Sequence, residues 1–211
     1  MLTPMQKDVL VELFNIHVGA SANLLSVMVN QKIILSIPEV ELLSGSELNM
    51  FSFEQAGIFE SGEAVMSNVK FGGEFKGSAY IMFPAAKAKA LVSACLREDL
   101  STEVSENGNL TFEELDVIKE ICNVTLNSVI GEFGNLIDEK IEFTTPNVEF
   151  NLVSSMTPEI IKGKNKYILV LLTSFFIESI SVKGVILISL DDSSVKIIIN
   201  KINELLEEQN E

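Results

Sequence analysis

Two stretches of the chain repeat apolar residues every three or four positions, and each opens on a helix-start signal. In "TPMQ", Thr3 stands at the N-cap, Pro4 at the first helical position and Gln6 where a capping box closes. In "TFEE", Thr111 and Glu114 take the same roles. Each helix leads into a strand-like segment, "KIILSIPEVEL" and "KIEFTTPNVEF". Pro38 and Pro146 cannot donate to a ladder, which predicts a sheet edge or a bulge at both. Two hairpin patterns follow, "EAVMSNVKFGGEFKGSAYIMF" and "YILVLLTSFFIESISVKGVILISL", and each runs into a helix, "AAKAKALVSACL" and "SSVKIIINKINELLEE".

The two series are copies. Residues 3–41 slide onto 111–149 without a gap and give ten identities, among them Asp8/Asp116, Glu12/Glu120, Asn15/Asn123 and Pro38/Pro146. The hairpins correspond at an offset of 107, which sets Lys76-Gly77 on Lys183-Gly184. The polar stretch 97–110, "REDLSTEVSENGNL", reads as a linker between repeats 1–96 and 111–211. Sequential strands tend to pair and share a core. The expectation is one α+β domain over residues 1–211, built of two pseudo-symmetric halves (helix, strand, β-hairpin, helix), with a mostly antiparallel sheet packed with helices.

On a helical wheel Asp8, Glu12 and Asn15 share a stripe with Gly19, Ala22 and Ser26. Leu10, Leu13, His17, Ala20, Leu24 and Met28 lie opposite, on the face expected to be buried. In the second helix Asp116, Glu120, Asn123 and Asn127 line the stripe, while Ile118 and Ile121 face inward. Glu132 would then point at the core, so this helix is expected to end or bend near Gly131 or Gly134. A polar stripe is ordinarily a solvated face. Asparagine in mid-helix is a poor choice for that purpose, because its side chain competes for the backbone. Gly19 and Ala22 also keep the surface low beside Asn15, so that a partner can approach.

Composition narrows the function. A net charge of −15 argues against binding nucleic acid or an anionic membrane. The two cysteines, Cys95 and Cys122, lack metal-ligand spacing and suit a reducing compartment. No signal segment is read at the start, and the longest nearly apolar run, "YILVLLTSFFI", is too short for a bilayer. The expected location is cytoplasmic. The lone histidine, His17, is assigned to the core or its boundary, and Cys122 to packing. "GGEFKGS" is read as a hairpin turn and not as a phosphate cradle, and Asp8 with Glu12 is a weak cation pair. No nucleophile stands beside a base, and no concave pocket for a small-molecule hydrolase is suggested.

An amide and a carboxylate one helical turn apart suit phosphoryl hydrolysis on another protein, where catalysis is chiefly the positioning of water and the neutralisation of charge. At these residues the chain resembles the CheC-type phosphatases of bacterial chemotaxis, the family of CheC, CheX and FliY. The family signature is Asp or Ser, three residues, Glu, two residues, Asn, and both Asp8-Glu12-Asn15 and Asp116-Glu120-Asn123 fit it. "ELFNIHVGASANLLS" and the later "PEV" are similar to the family as well. Two intact motifs with nothing appended make CheC the nearer match.

The resemblance implies a substrate, the aspartyl-phosphate of the response regulator CheY. It also implies roles. Asn15 and Asn123 orient the in-line water, Glu12 and Glu120 dock to the regulator's lysine, and Asp8 and Asp116 support them. The regulator brings Mg²⁺, and no metal site or cofactor of the chain's own is expected. CheD is a possible partner. The alternative is a non-catalytic module, either a CheD-binding adaptor or a flagellar-switch relative. Asn127, where Gly19 stands in the first copy, is expected to crowd the second site, and the first site is slightly favoured.

Overall fold

The computed structural model describes residues 2–50, 59, 62–73, 75–96, 111–152, 167–177 and 180–208. The expected linker 97–110 lies outside them. Both capping boxes form. The Gln6 N–H donates to Thr3 Oγ1 at 3.3 Å and the Thr3 N–H to Gln6 Oε1 at 2.9 Å. Glu114 N–H donates to Thr111 Oγ1 at 3.2 Å, and Thr111 N–H to Glu114 Oε2 at 2.5 Å. The helices they start, α1 (Pro4–Val29) and α4 (Phe112–Ile137), each run 26 residues. Each stops at a left-handed residue, Asn30 at φ 52° and Asp138 at φ 56°, side chains that tolerate this conformation.

Between and after them lie β1 (Ile33–Ser44), α2 (Gly45–Met50), β2 (Glu63–Gly72), β3 (Gly77–Pro84), α3 (Ala85–Leu96), β4 (Glu142–Phe143), β5 (Asn147–Leu152), β6 (Tyr167–Ile177), β7 (Ile180–Leu190) and α5 (Asp192–Glu208). The strands make one antiparallel sheet in the order β1-β6-β7-β3-β2-β4, with β5 also on β2. Under the sequence repeat β1 matches β4 and β5, β2 matches β6, and β3 matches β7. The order therefore reads alike from both edges, with the pseudo-dyad between β3 and β7. The first strand of each repeat pairs with the hairpin of the other, β1 with β6 and β5 with β2. Neither repeat holds a complete sheet.

The repeated glycines serve this seam. A Cβ on Gly77 would stand 2.3 Å from Ser189 O, and one on Gly184 would stand 2.8 Å from Met82 O. The prolines also fall as expected. The register of β1 slips between Ser36 and Glu39, around Pro38 on an edge strand, and the matching stretch 144–146 separates β4 from β5. Of "GGEFKGS", Gly73, Phe75 and Lys76 lie between β2 and β3, and Glu74 lies outside the described residues.

The main core joins one face of the sheet to α1, α3, α4 and α5. Phe14 and Phe133 meet edge to face at 5.3 Å, and Phe75 lies 5.0 Å from Phe133. On the other face Met66, Met82, Val185 and Leu187 pack with Leu48 of α2 and with Phe59.

Two expectations about the long helices need correction. The buried face of α1 is Leu10, Phe14, Val18, Ser21, Ala22 and Leu25, whereas Ala20, Leu24 and Met28 are exposed. Apolar residues also occupy the exposed side, at Met5, Ile16, Leu24, Val27 and Met28, and the helix lies against both α4 and β1, so its buried face is rotated towards Phe14. By length and composition α1 would even pass for a membrane span, a test that core helices also pass. The second correction concerns α4, which runs through Gly131 and Gly134 without ending. Glu132 does point inward and is 4% exposed, but its carboxyl meets the His17 Nδ1 and accepts a hydrogen bond from Asn135. A buried carboxylate with partners does not oblige the helix to stop.

Candidate active site on the two motif helices

Asp8 and Glu12 of α1 are exposed, as are Asp116 and Glu120 of α4. The two asparagines are each half-buried, but they are engaged differently. The Asn15 amide is committed to its own chain. Its Nδ2 donates to Val11 O at 2.7 Å and to Ile37 O at 2.8 Å, and its Oδ1 accepts from the Ile37 N–H at 2.9 Å. It closes the backbone gap that the bulge at Pro38 opens. Ser26, on the same stripe, accepts from the Ile33 N–H at 2.8 Å. The stripe of α1 is therefore solvent-facing at Asp8 and Glu12 and strand-facing from Asn15 onward. The expectation of a bare amide at Asn15 is not met.

In α4, Asn123 accepts a hydrogen bond on Oδ1 from Asn127 Nδ2 at 3.0 Å. Among the described residues its own NH₂ group makes no hydrogen bond. The residue matching Ile37 is Thr145, which is exposed and takes nothing from Asn123. Gly134 replaces Ser26, so no side chain clips this strand at the corresponding place. Asn127 does not crowd the amide as expected; it orients it. Its own Oδ1 is buried without a partner among the described residues. The i, i+4 spacing of two stripe asparagines was the available sign of this contact.

A groove of about 330 Å³ adjoins the second motif. Leu25, Met28 and Leu96 line it from α1 and α3, and Asp116, Val117 and Glu120 from α4. No sequence pattern announces it, because it is made where three helices approach one another. Among the described residues no three His, Cys, Asp or Glu side chains gather as metal ligands would.

His17 lies at the boundary between α1 and α4. Beyond Glu132, its Nε2 is 3.2 Å from Asn135 Nδ2, and its carbonyl accepts from Ser128 Oγ at 2.9 Å. Burial of Glu132 raises its carboxyl above the ordinary value, against the lowering effects of Asn135 and His17. Cys122 is fully buried, and desolvation pushes its thiol up to about 12, the mark of packing and not of a nucleophile.

Comparison with known proteins was made against this geometry. The family model described as chemotaxis phosphatase CheX matches residues 65–171, just over half of the chain. The match includes the motif on α4 and excludes the one on α1. The flagellar motor switch phosphatase FliY of Bacillus subtilis (strain 168) is 24% identical over 148 residues, which are 70% of this chain and 36% of that relative. The chain thus spans about a third of that protein's length. The crystal structure of Thermotoga maritima FliY superposes with a TM-score of 0.71 at 21% identity, over 97% of this chain and 98% of the other. The FliM middle domain from H. pylori gives 0.61 at 11% identity, over 95% and 99%. These likenesses establish a shared fold of antiparallel sheet and helices, and the family match establishes the lineage: the chain belongs to the chemotaxis phosphatase CheX family.

Proposed function

We propose that this chain hydrolyses the aspartyl-phosphate of a CheY-type response regulator, and that α4 carries the working site. Glu120 pairs with a lysine of the regulator and sets the docking register. Asn123 reaches the phosphoryl group with its NH₂ group and turns the remaining lone pair of Oδ1 to the attacking water. The water oxygen bonds to phosphorus, the bond to the aspartyl oxygen breaks, that carboxylate leaves with the bonding pair, and both water protons depart on the phosphate as dihydrogen phosphate. The regulator, not this chain, would hold the Mg²⁺, which would supply charge neutralisation at the phosphoryl group. Asp116 supports the docking edge. In this reading Asp8 and Glu12 offer only a docking surface, because Asn15 is spent on β1. The reaction places the protein in the cytoplasm with its regulator.

The observation that carries the reading is the Asn123 amide, held at its oxygen by Asn127 and unengaged at its nitrogen among the described residues. The span of the family match supports the choice of helix. The test is the decay of CheY-phosphate. Asn123→Ala should lower the acceleration about a hundredfold, by analogy with losing one positioning donor. Asn15→Ala, at temperatures where it stays folded, should keep most of it. Acceleration that survives Asn123→Ala and is lost in Asn15→Ala would reverse the assignment.

A second reading has its own support. The sequestered Asn15 and the FliM-like fold suit a non-catalytic module that binds a CheD-type or flagellar-switch partner. In that case the wild-type chain would leave CheY-phosphate decay unchanged.

A further inference from the structure

The groove beside the second motif has an apolar wall and an acidic rim. Met28 is 49% exposed and Leu96 is 38% exposed, with Val117 beside them and Ile121 beneath. Asp116 and Glu120 stand on the rim one helical turn apart, and neither makes an ion pair among the described residues. Like charges at that spacing repel, and large apolar groups in water forgo burial energy. Both features are satisfied by one kind of visitor, an apolar side chain with a cation next to it.

Resting on the function proposed above, we propose that this groove receives an apolar side chain of the same receiver domain whose phosphate Asn123 meets, a side chain flanked by lysine or arginine. Two observations select that occupant. The surface is continuous along α4, since Glu120 lines the groove and stands one turn before Asn123. The charge is complementary at short range only. Asp116 and Glu120 on the rim favour a side chain with a cation beside it, while Met28, Leu96 and Val117 supply apolar contact.

The test uses the full chain and a CheY receiver domain activated with beryllofluoride and Mg²⁺, with Kd from calorimetry and kcat and KM from phosphate decay. Met28→Glu and Leu96→Gln should each raise Kd and KM about tenfold and leave kcat within about twofold, while Met28→Leu keeps wild-type affinity. Asn123→Ala should do the opposite, losing kcat while keeping Kd. Wild-type Kd in both folded groove variants overturns the proposal. So does a wild-type dimer in sedimentation that Met28→Glu dissolves without change in receiver affinity, since the occupant is then a second copy. Receiver binding that Met28→Glu weakens, with no acceleration of decay by the wild type, upholds the groove and overturns only the catalytic reading.

Discussion

Asn15 and Asn123 are the same residue at the same place in the same motif, and their neighbours give them different work. Asn15 meets a backbone amide and carbonyl at a bulge, while Asn123 meets another side chain on its own helix. The same dependence on neighbours governs Glu132. Burial raises its carboxyl above the ordinary 4.5, so the folded protein binds this proton more tightly than the unfolded chain. The resulting stability is fully present below pH 4.5 and is lost as pH rises through the raised folded value. Glu132→Gln removes that titration and keeps a hydrogen-bonding group beside Asn135 and His17. Urea unfolding in pH steps upward from 4.5 should show stability falling in the wild type more steeply than in the variant. Parallel curves would mean that Glu132 titrates in the fold as it does in water.

At the scale of elements, α1 and β1 are joined by side chains that look like surface on a helical wheel. Asn15 and Ser26 hold the strand at two points, and Lys7 pairs with Glu41 further along. The equivalent strand in the second repeat lacks the first two clips and is broken into β4 and β5. Asn15→Ala leaves the Ile37 N–H and C=O without these partners beside a buried side chain, and should cost about 2–3 kcal/mol in denaturant unfolding. Asn123→Ala removes a contact between two half-buried amides and should cost under about 1 kcal/mol by the same measurement. Equal losses would mean that Asn15 is not the anchor described.

At the scale of the molecule, the strand exchange makes the repeats interdependent. Residues 1–96 alone would present β2 without β5 and β1 without β6, leaving long unpaired edges and open apolar faces. Expressed separately, 1–96 and 111–211 should each lack a cooperative thermal transition that the whole chain shows as a single step. A half that melts cooperatively as a monomer would overturn this interdependence.

How much was legible follows the same scales. The capping boxes, the hairpins, the prolines at edge or bulge and the duplicated layout depend on contacts close in sequence, and the chain alone announces them. The two acidic-amide motifs were legible as patterns for the same reason. The buried arc of α1 was not, because Ile16, Leu24, Val27 and Met28 are as apolar as the buried residues, and the pattern carries no record of which of them its neighbours cover. The continuity of α4 was hidden too, since the partner that makes Glu132 tolerable is His17, 115 positions away by subtraction of the two numbers.

The sequence by itself determined two related helix-strand-hairpin-helix units, their boundaries at the helix starts, and the four motif carboxylates that face water. Only the tertiary structure decided which asparagine amide is unengaged at its nitrogen among the described residues, which hollow adjoins its helix, and how the repeats exchange strands. The physical reason is range: propensity, capping and periodicity act over a few residues, whereas hydrogen-bond competition for an amide is settled by whatever strand the fold brings alongside.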